Sequence, residues 1–225
     1  MNGSQLKQGR LAAKLTQVVA AARLGLSQPY LSQLERGSRA VTPKVARAAT
    51  RLYQLPPTAL APPPEPPKTK ASELPHQLAA LGYPGYGHLR KSSLTNPAVV
   101  ALEALSESNL DGRVAEALPW VLEQFPDLEW KWLLDHAKRR NLQNRLGFLV
   151  TVARRVAERQ LKTSAARKLS RVEKDLEGAR LVAETTLGRD LMPTAEREWL
   201  RHHRSAEARH WNVLTGMEPQ DLPYA

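Results

Sequence analysis

Seven prolines fall between residues 56 and 67: Pro56, Pro57, Pro62, Pro63, Pro64, Pro66 and Pro67. Proline donates no backbone hydrogen bond and its ring clashes with the preceding helical turn, so neither a helix nor an inner strand can run through this stretch. Such a run favours extended polyproline II. Any fold must therefore close before it and begin again after it. The 225-residue chain divides into a short block, 1–60, a Pro-rich linker and irregular segment, 61–96, and a longer remainder, 97–225. A docking peptide for an aromatic groove is the alternative reading of the prolines.

Charge separates the same pieces. Residues 1–60 carry nine Lys and Arg (Lys7, Arg10, Lys14, Arg23, Arg36, Arg39, Lys44, Arg47, Arg51) against one acid, Glu35. Residues 61–110 balance, and residues 111–225 hold 20 bases and 17 acids. Most of the net +11 thus sits in the first block, the electrostatic footprint of a polyanion partner. The absence of Cys excludes disulfides, a thiolate nucleophile and Cys-ligated metal sites. No apolar run approaches the roughly 18–20 residues that span a bilayer, and Met1-Asn2-Gly3-Ser4-Gln5 lacks the pattern of a signal peptide. A soluble, cytoplasmic chain with no membrane partner is expected.

Within the basic block, residues 16–37 carry the informative pattern. Thr16 can cap a helix over Gln17–Leu24, in which Ala20 and Ala21 are small where a second helix must cross. Gly25 ends that helix where φ > 0 is commonly needed, and Leu26 turns inward. Ser27 caps the next helix, with Pro29 tolerated in its first turn. Leu31 and Leu34 then face back onto Ala20, Ala21 and Leu24, leaving Gln28, Tyr30, Ser32 and Gln33 outward. This is a helix-turn-helix arrangement.

Together, Leu15-Thr16-Gln17, Leu24-Gly25-Leu26-Ser27-Gln28, Leu31-Ser32-Gln33-Leu34-Glu35-Arg36-Gly37 and Arg51-Leu52-Tyr53 make residues 4–60 resemble the helix-turn-helix domain of phage repressors and Cro proteins, the XRE family. The resemblance implies five helices, near 4–14, 17–24, 28–36, 43–53 and 56–60. It also implies double-stranded DNA as partner, major-groove reading by the third helix, and a homodimer. Position by position, Gln28 and Gln33 match base readers, since a glutamine amide offers adenine both a donor and an acceptor. Tyr30 and Ser32 match secondary readers, and Ser27 belongs to the same DNA-binding surface. Gln17, Arg36, Ser38, Arg39, Thr42 and Lys44 match positions that hold the sugar-phosphate backbone. Pro29 departs from the family pattern, where a polar reader is common. Arg10 and Glu35 match a structural ion pair that ties the first helix to the third.

Past Asn96-Pro97 the spacing of apolar residues stays helical, so the fold class is all-α. Pro97 suits a helix start. Asp111 caps a segment that Pro119 kinks or restarts, and Asp127 introduces the next. Asn141 or Asn144 breaks the chain before Leu146. Ser164 to Leu187 forms one long stripe through Leu169, Val172, Leu176, Ala179 and Ala183. Thr194 caps a helix through Trp199 and Leu200, and a last helix covers Ala206–Leu214. The five tryptophans, Trp120, Trp130, Trp132, Trp199 and Trp211, are expected mostly in the core. Lys138-Arg139-Arg140 either closes a helix C-terminus or touches DNA.

No paired carboxylates, Ser/His/Asp set or phosphate loop appears, and His202, His203 and His210 lack partners at metal-ligand spacing. No enzyme activity, cofactor or metal is expected. The leading functional reading is a sequence-specific transcription regulator, a repressor, with 97–225 for dimerisation or partner binding. The second is an antitoxin that represses its own operon and grips a cognate toxin through 97–225; residues 144–150 resemble C-terminal regions of antitoxin-like regulators. An enzyme with a DNA-targeting domain is the third.

Overall fold

The computed structural model describes residues 1–67, 70–90 and 92–224. Two compact units result: Met1–Ala61 with Leu94–Asn96, and Pro62–Ser93 with Pro97–Ala225. Among the described residues no helix is long and apolar enough to cross a membrane.

The first unit holds α1 (Gly3–Ala12), α2 (Gln17–Leu24), α3 (Gln28–Arg36) and α4 (Pro43–Leu52), then a 3-10 turn at Pro57–Ala59. Local chemistry sets each start. Asn2 and Gln5 exchange hydrogen bonds in a capping box, and Thr16, Ser27 and Thr42 cap α2, α3 and α4. These side chains satisfy first-turn amides that have no partner within the helix. Gly25 and Gly37 close α2 and α3 at φ +67° and +77°, where a Cβ is costly. Leu6, Ala20, Ala21, Leu31, Leu34, Ala49 and Tyr53 form the buried core. The expected five-helix plan is present, with the fifth member reduced to one 3-10 turn. Prolines 62–64 prevent its extension.

The second unit holds α5 (Leu74–Leu81), α6 (Pro97–Ser106), α7 (Gly112–Gln124), α8 (Trp130–Arg139), α9 (Gln143–Arg159), α10 (Thr163–Glu177), α11 (Thr194–His203) and α12 (Ala206–His210). Two short strands, β1 (Thr185–Thr186) and β2 (Val213–Leu214), pair in parallel; the rest of the described residues are helix and loop, with one isolated bridge between Asn109 and Arg189. Helix α9 is buried continuously from Gln143 to Ala153 and packs against α7, α8 and α10. A helix covered on every side belongs to the centre of a core.

Several expectations change here. Residues 68–96 were expected to stay irregular but contain α5, whose Leu74, Leu78 and Leu81 are buried and whose end is closed by Gly82 at φ +94°. An eight-residue helix with Pro at its start is too short to stand out by period; packing on α6 and α7 sustains it. The proline run does not leave the unit free of contacts either, because the Trp132 indole donates to the Pro63 carbonyl at 2.9 Å. The long stripe expected from Ser164 to Leu187 stops at Glu177; the following loop is held by Asn144, whose amide both donates to the Leu181 carbonyl and accepts from its N–H, each at 2.8 Å. The chain break accordingly falls at Asn141, at φ +55°, while Asn144 lies inside α9. Asp127 does not open α8, which starts at Trp130; it pairs with Lys168. Thr194 is the first residue of α11 and makes no side-chain cap. The expected helix from Ala206 to Leu214 ends at His210, with Val213 and Leu214 in β2. Of the tryptophans only Trp120 and Trp211 are buried; Trp130 and Trp132 are half-buried, and Trp199 is 57% exposed. Lys138 and Arg139 close α8, and Arg140 follows as its C-cap.

Pro119 sits inside α7 without ending it. Tyr224 supplies the repair: its hydroxyl accepts from the Trp120 N–H at 3.1 Å and donates to the Glu116 carbonyl at 2.5 Å. The phenol thus stands in one rung of the helical ladder next to the proline. Burial there pushes the Tyr224 pKa up, keeping the donor proton in place.

Candidate nucleic-acid interface

The turn between α2 and α3 is built from three local devices. The Leu26 N–H reaches the Ala21 carbonyl at 2.9 Å across Gly25. Ser27 accepts from the Tyr30 N–H at 3.3 Å, and Pro29 occupies the first turn of α3. Fully buried Leu31 and Leu34 then seat α3 against Ala20 and Ala21. That fixes which side of α3 stays outside: Gln28 is exposed, while Ser32, Gln33 and Tyr30 are half-buried.

Beneath this face lies the Arg10–Glu35 pair. Both are buried, and the guanidinium meets both carboxylate oxygens, Nε to Oε1 at 2.6 Å and Nη2 to Oε2 at 2.9 Å. Arg10 Nη1 also donates to the Leu15 carbonyl at 2.8 Å, pinning the loop before α2. Burial alone would raise the Glu35 pKa, but hydrogen bonds from Arg10 and Gln17 outweigh it and hold the carboxyl below its ordinary value.

The pair extends to the surface. Gln17 Nε2 donates to Glu35 Oε2 at 2.9 Å, and its Oε1 accepts from Gln28 Nε2 at 2.8 Å. Helix α1, the start of α2 and the start of α3 are therefore joined by one line of hydrogen bonds, Arg10–Glu35–Gln17–Gln28. Gln17 and Gln28 were each expected to face DNA; the structure also joins them to each other. Each amide nitrogen keeps one free hydrogen, and the Gln28 carbonyl stays free to accept. No local pattern signals this link, because the partners lie 11 and 18 residues apart.

The remaining expected residues surround α3. Arg36, Ser38, Arg39, Thr42 and Lys44 are exposed. The Thr42 hydroxyl caps α4, as Ser27 caps α3; in each case the oxygen accepts and the hydroxyl proton can still reach a phosphate. The Arg39 guanidinium lies 5.5 Å from the centre of the Tyr30 ring, a cation–π distance that fixes the direction of a charge otherwise free to sweep. Arg36 donates to the Ser32 carbonyl at 3.3 Å. Helix termini, hydroxyls and unpaired guanidinium and ammonium groups thus border one polar helix face, an arrangement that can hold phosphates on both sides of a groove. Sequence reasoning missed one surface feature of this unit: Leu11, Val18 and Val19 are exposed apolar residues.

Residues 3–62 match the family model of a helix-turn-helix domain. No curated protein and no solved structure matches the chain.

Proposed function

We propose that the chain is a sequence-specific DNA-binding repressor that inserts α3 into the major groove and binds its operator as a homodimer. The observation that carries this reading is the Arg10–Glu35–Gln17–Gln28 line ending at an exposed glutamine, with Gln33 farther along α3. Such support holds a base-reading side chain in place before DNA arrives, which lowers the ordering cost of binding. The basic residues around it supply affinity for any sequence; the glutamines supply preference. Catalysis plays no part.

The two contributions separate by mutation. Arg39→Ala and Lys44→Ala are expected to weaken binding to all sequences alike, each lowering the dependence on log[salt] by about one unit. Gln33→Ala is expected to relax preference at one base position, at roughly 1–3 kcal/mol. Selection of bound DNA from a random pool at stated salt, followed by titration of the variants, measures both. An unchanged preference in Gln33→Ala would remove α3 from the groove.

Dimer formation is assigned to the second unit, where Leu161 and Val182 are exposed. The test piece must begin at Pro62, since α5 belongs with that unit. A fragment 62–225 is expected to sediment as a dimer and ignore DNA. A fragment ending at Ala61 is expected to stay monomeric and bind weakly. A monomeric 62–225 moves the contact to Leu11, Val18 and Val19. A protein co-purifying in equal amount on 62–225 would assign the chain to the antitoxin reading.

A further inference from the structure

Within the second unit, α7, α11 and the segment after β2 line a half-open cleft of about 380 Å³, inside the size range of small-molecule sites. Its floor is apolar: Leu187, Leu200, Leu214 and Leu222 are buried and line it. Trp199 lines it while remaining 57% exposed. His203 stacks on the Trp199 ring at 4.4 Å, nearly parallel at 8°, which leaves the opposite face of the indole for another group.

The charged lining is one-sided. Glu116, Glu196, Glu218 and Asp221 contribute four carboxylates against one base, Arg189. That base is already neutralised, with both guanidinium nitrogens on Glu196 at 2.5 and 3.1 Å. Glu116 and Asp221 line the cleft without an ion pair among the described residues, while Glu218 accepts from Gln220 and also borders the neighbouring hollow that holds Arg155 and Arg159. In a chain of net charge +11, four carboxylates against one base over a leucine floor give this cleft a local field opposite to that of the molecule.

We infer that this cleft binds a small organic cation with an apolar body, of the arylalkylamine kind. The hydrocarbon lies on the leucine floor against Trp199, and the ammonium donates hydrogen bonds to the Glu116, Glu218 and Asp221 carboxylates. Cations are also attracted to an indole face. The small volume of this half-open cleft favours a small molecule over a helix or a second copy, both of which need an extended surface.

The test is calorimetric titration of the full chain with three probes of one shape: 4-phenylbutylamine, 4-phenylbutan-1-ol and 4-phenylbutanoate. The amine is expected to bind once per chain and about tenfold or more tightly than the alcohol, with the carboxylate weakest, as charge-assisted hydrogen bonds require. The variant Glu218→Gln with Asp221→Asn keeps shape and removes two charges. It should reduce amine affinity toward that of the alcohol, leaving alcohol affinity and the melting temperature unchanged. Trp199→Ala should weaken all three probes. The inference is overturned by absence of saturable amine binding at millimolar concentration, by equal affinities for amine and alcohol, or by an unaltered amine affinity in the double variant. It is also overturned if the double variant instead dissociates a dimer, which would make a second copy the occupant.

Discussion

Glu35→Ala is expected to unfold the first unit. Removing one partner of a buried, bidentate pair leaves the other charge unsolvated, at a cost of roughly 3–5 kcal/mol. A unit of about sixty residues has only about 3–9 kcal/mol of total stability at typical values per residue. The loss is larger than the ion pair alone implies, because Glu35 also accepts from Gln17 and Arg10 also holds the Leu15 carbonyl. Replacing both partners, Arg10→Met with Glu35→Leu, is expected to be milder than either single change. All five tryptophans lie beyond residue 110, so amide hydrogen exchange over residues 3–62 is the appropriate measurement. A double variant whose loss of protection equals the sum of the two single losses would show that the two groups are not coupled.

The same pair sets an acid limit. The folded Glu35 carboxyl lies below its reference value of 4.5, so the unfolded chain takes up its proton first as pH falls. The stabilisation is therefore complete above about pH 4.5 and is lost as pH drops through the lower folded value. Arg10 stays charged throughout and adds no slope in this range. Exchange protection in the first unit should fall on acidification below that point, and the Glu35→Gln variant should lack this part of the dependence.

Trp211→Ala is expected to be the costliest single change in the second unit, at about 3–5 kcal/mol. Trp211 is fully buried, and its indole donates to the Thr151 hydroxyl at 2.8 Å. Thr151 lies 2.7 Å from Glu173 Oε1, and Arg154 holds Glu173 from the other side at 2.6 Å. One tryptophan thus joins the C-terminal loop to both α9 and α10. Gly147 makes the approach possible, since a Cβ there would stand 2.4 Å from ring carbons of Trp211. Gly147→Ala, favourable by about 1 kcal/mol in an open helix, is expected to destabilise by roughly 1–3 kcal/mol here. In a Trp211→Leu background the penalty should shrink or change sign. Urea unfolding of the four chains, followed by far-UV circular dichroism, measures the coupling; strictly additive effects would refute the contact.

Asn144-Arg145-Leu146-Gly147 shows how a motif can be visible without its reason. Asn144 holds Leu181, and Arg145 donates to the carbonyls of Leu105 and Glu107 and to Asp190. Gly147 admits Trp211. Each of these residues has a packing or hydrogen-bonding role within the second unit, and each partner lies at least 37 residues away. Periodicity carries no information about such distances.

The helix-turn-helix was legible because its determinants are short-range. A cap acts within three residues, Gly25 and Gly37 act on their own φ angles, and the Ala and Leu positions of α2 and α3 repeat with the helical period. The sequence alone therefore determined the helical class, the capped starts of α2 and α3, the basic first block and the outward face of α3. Tertiary structure alone decided the Gln17–Gln28 link, the survival of α5, the end of α10 at Glu177, the Tyr224 bridge across the proline in α7, and the acid-lined cleft beside Trp199. Each of these rests on groups brought together from distant parts of the chain. Their hydrogen bonds and burial exist only once the core has closed, so no local preference along the chain records them.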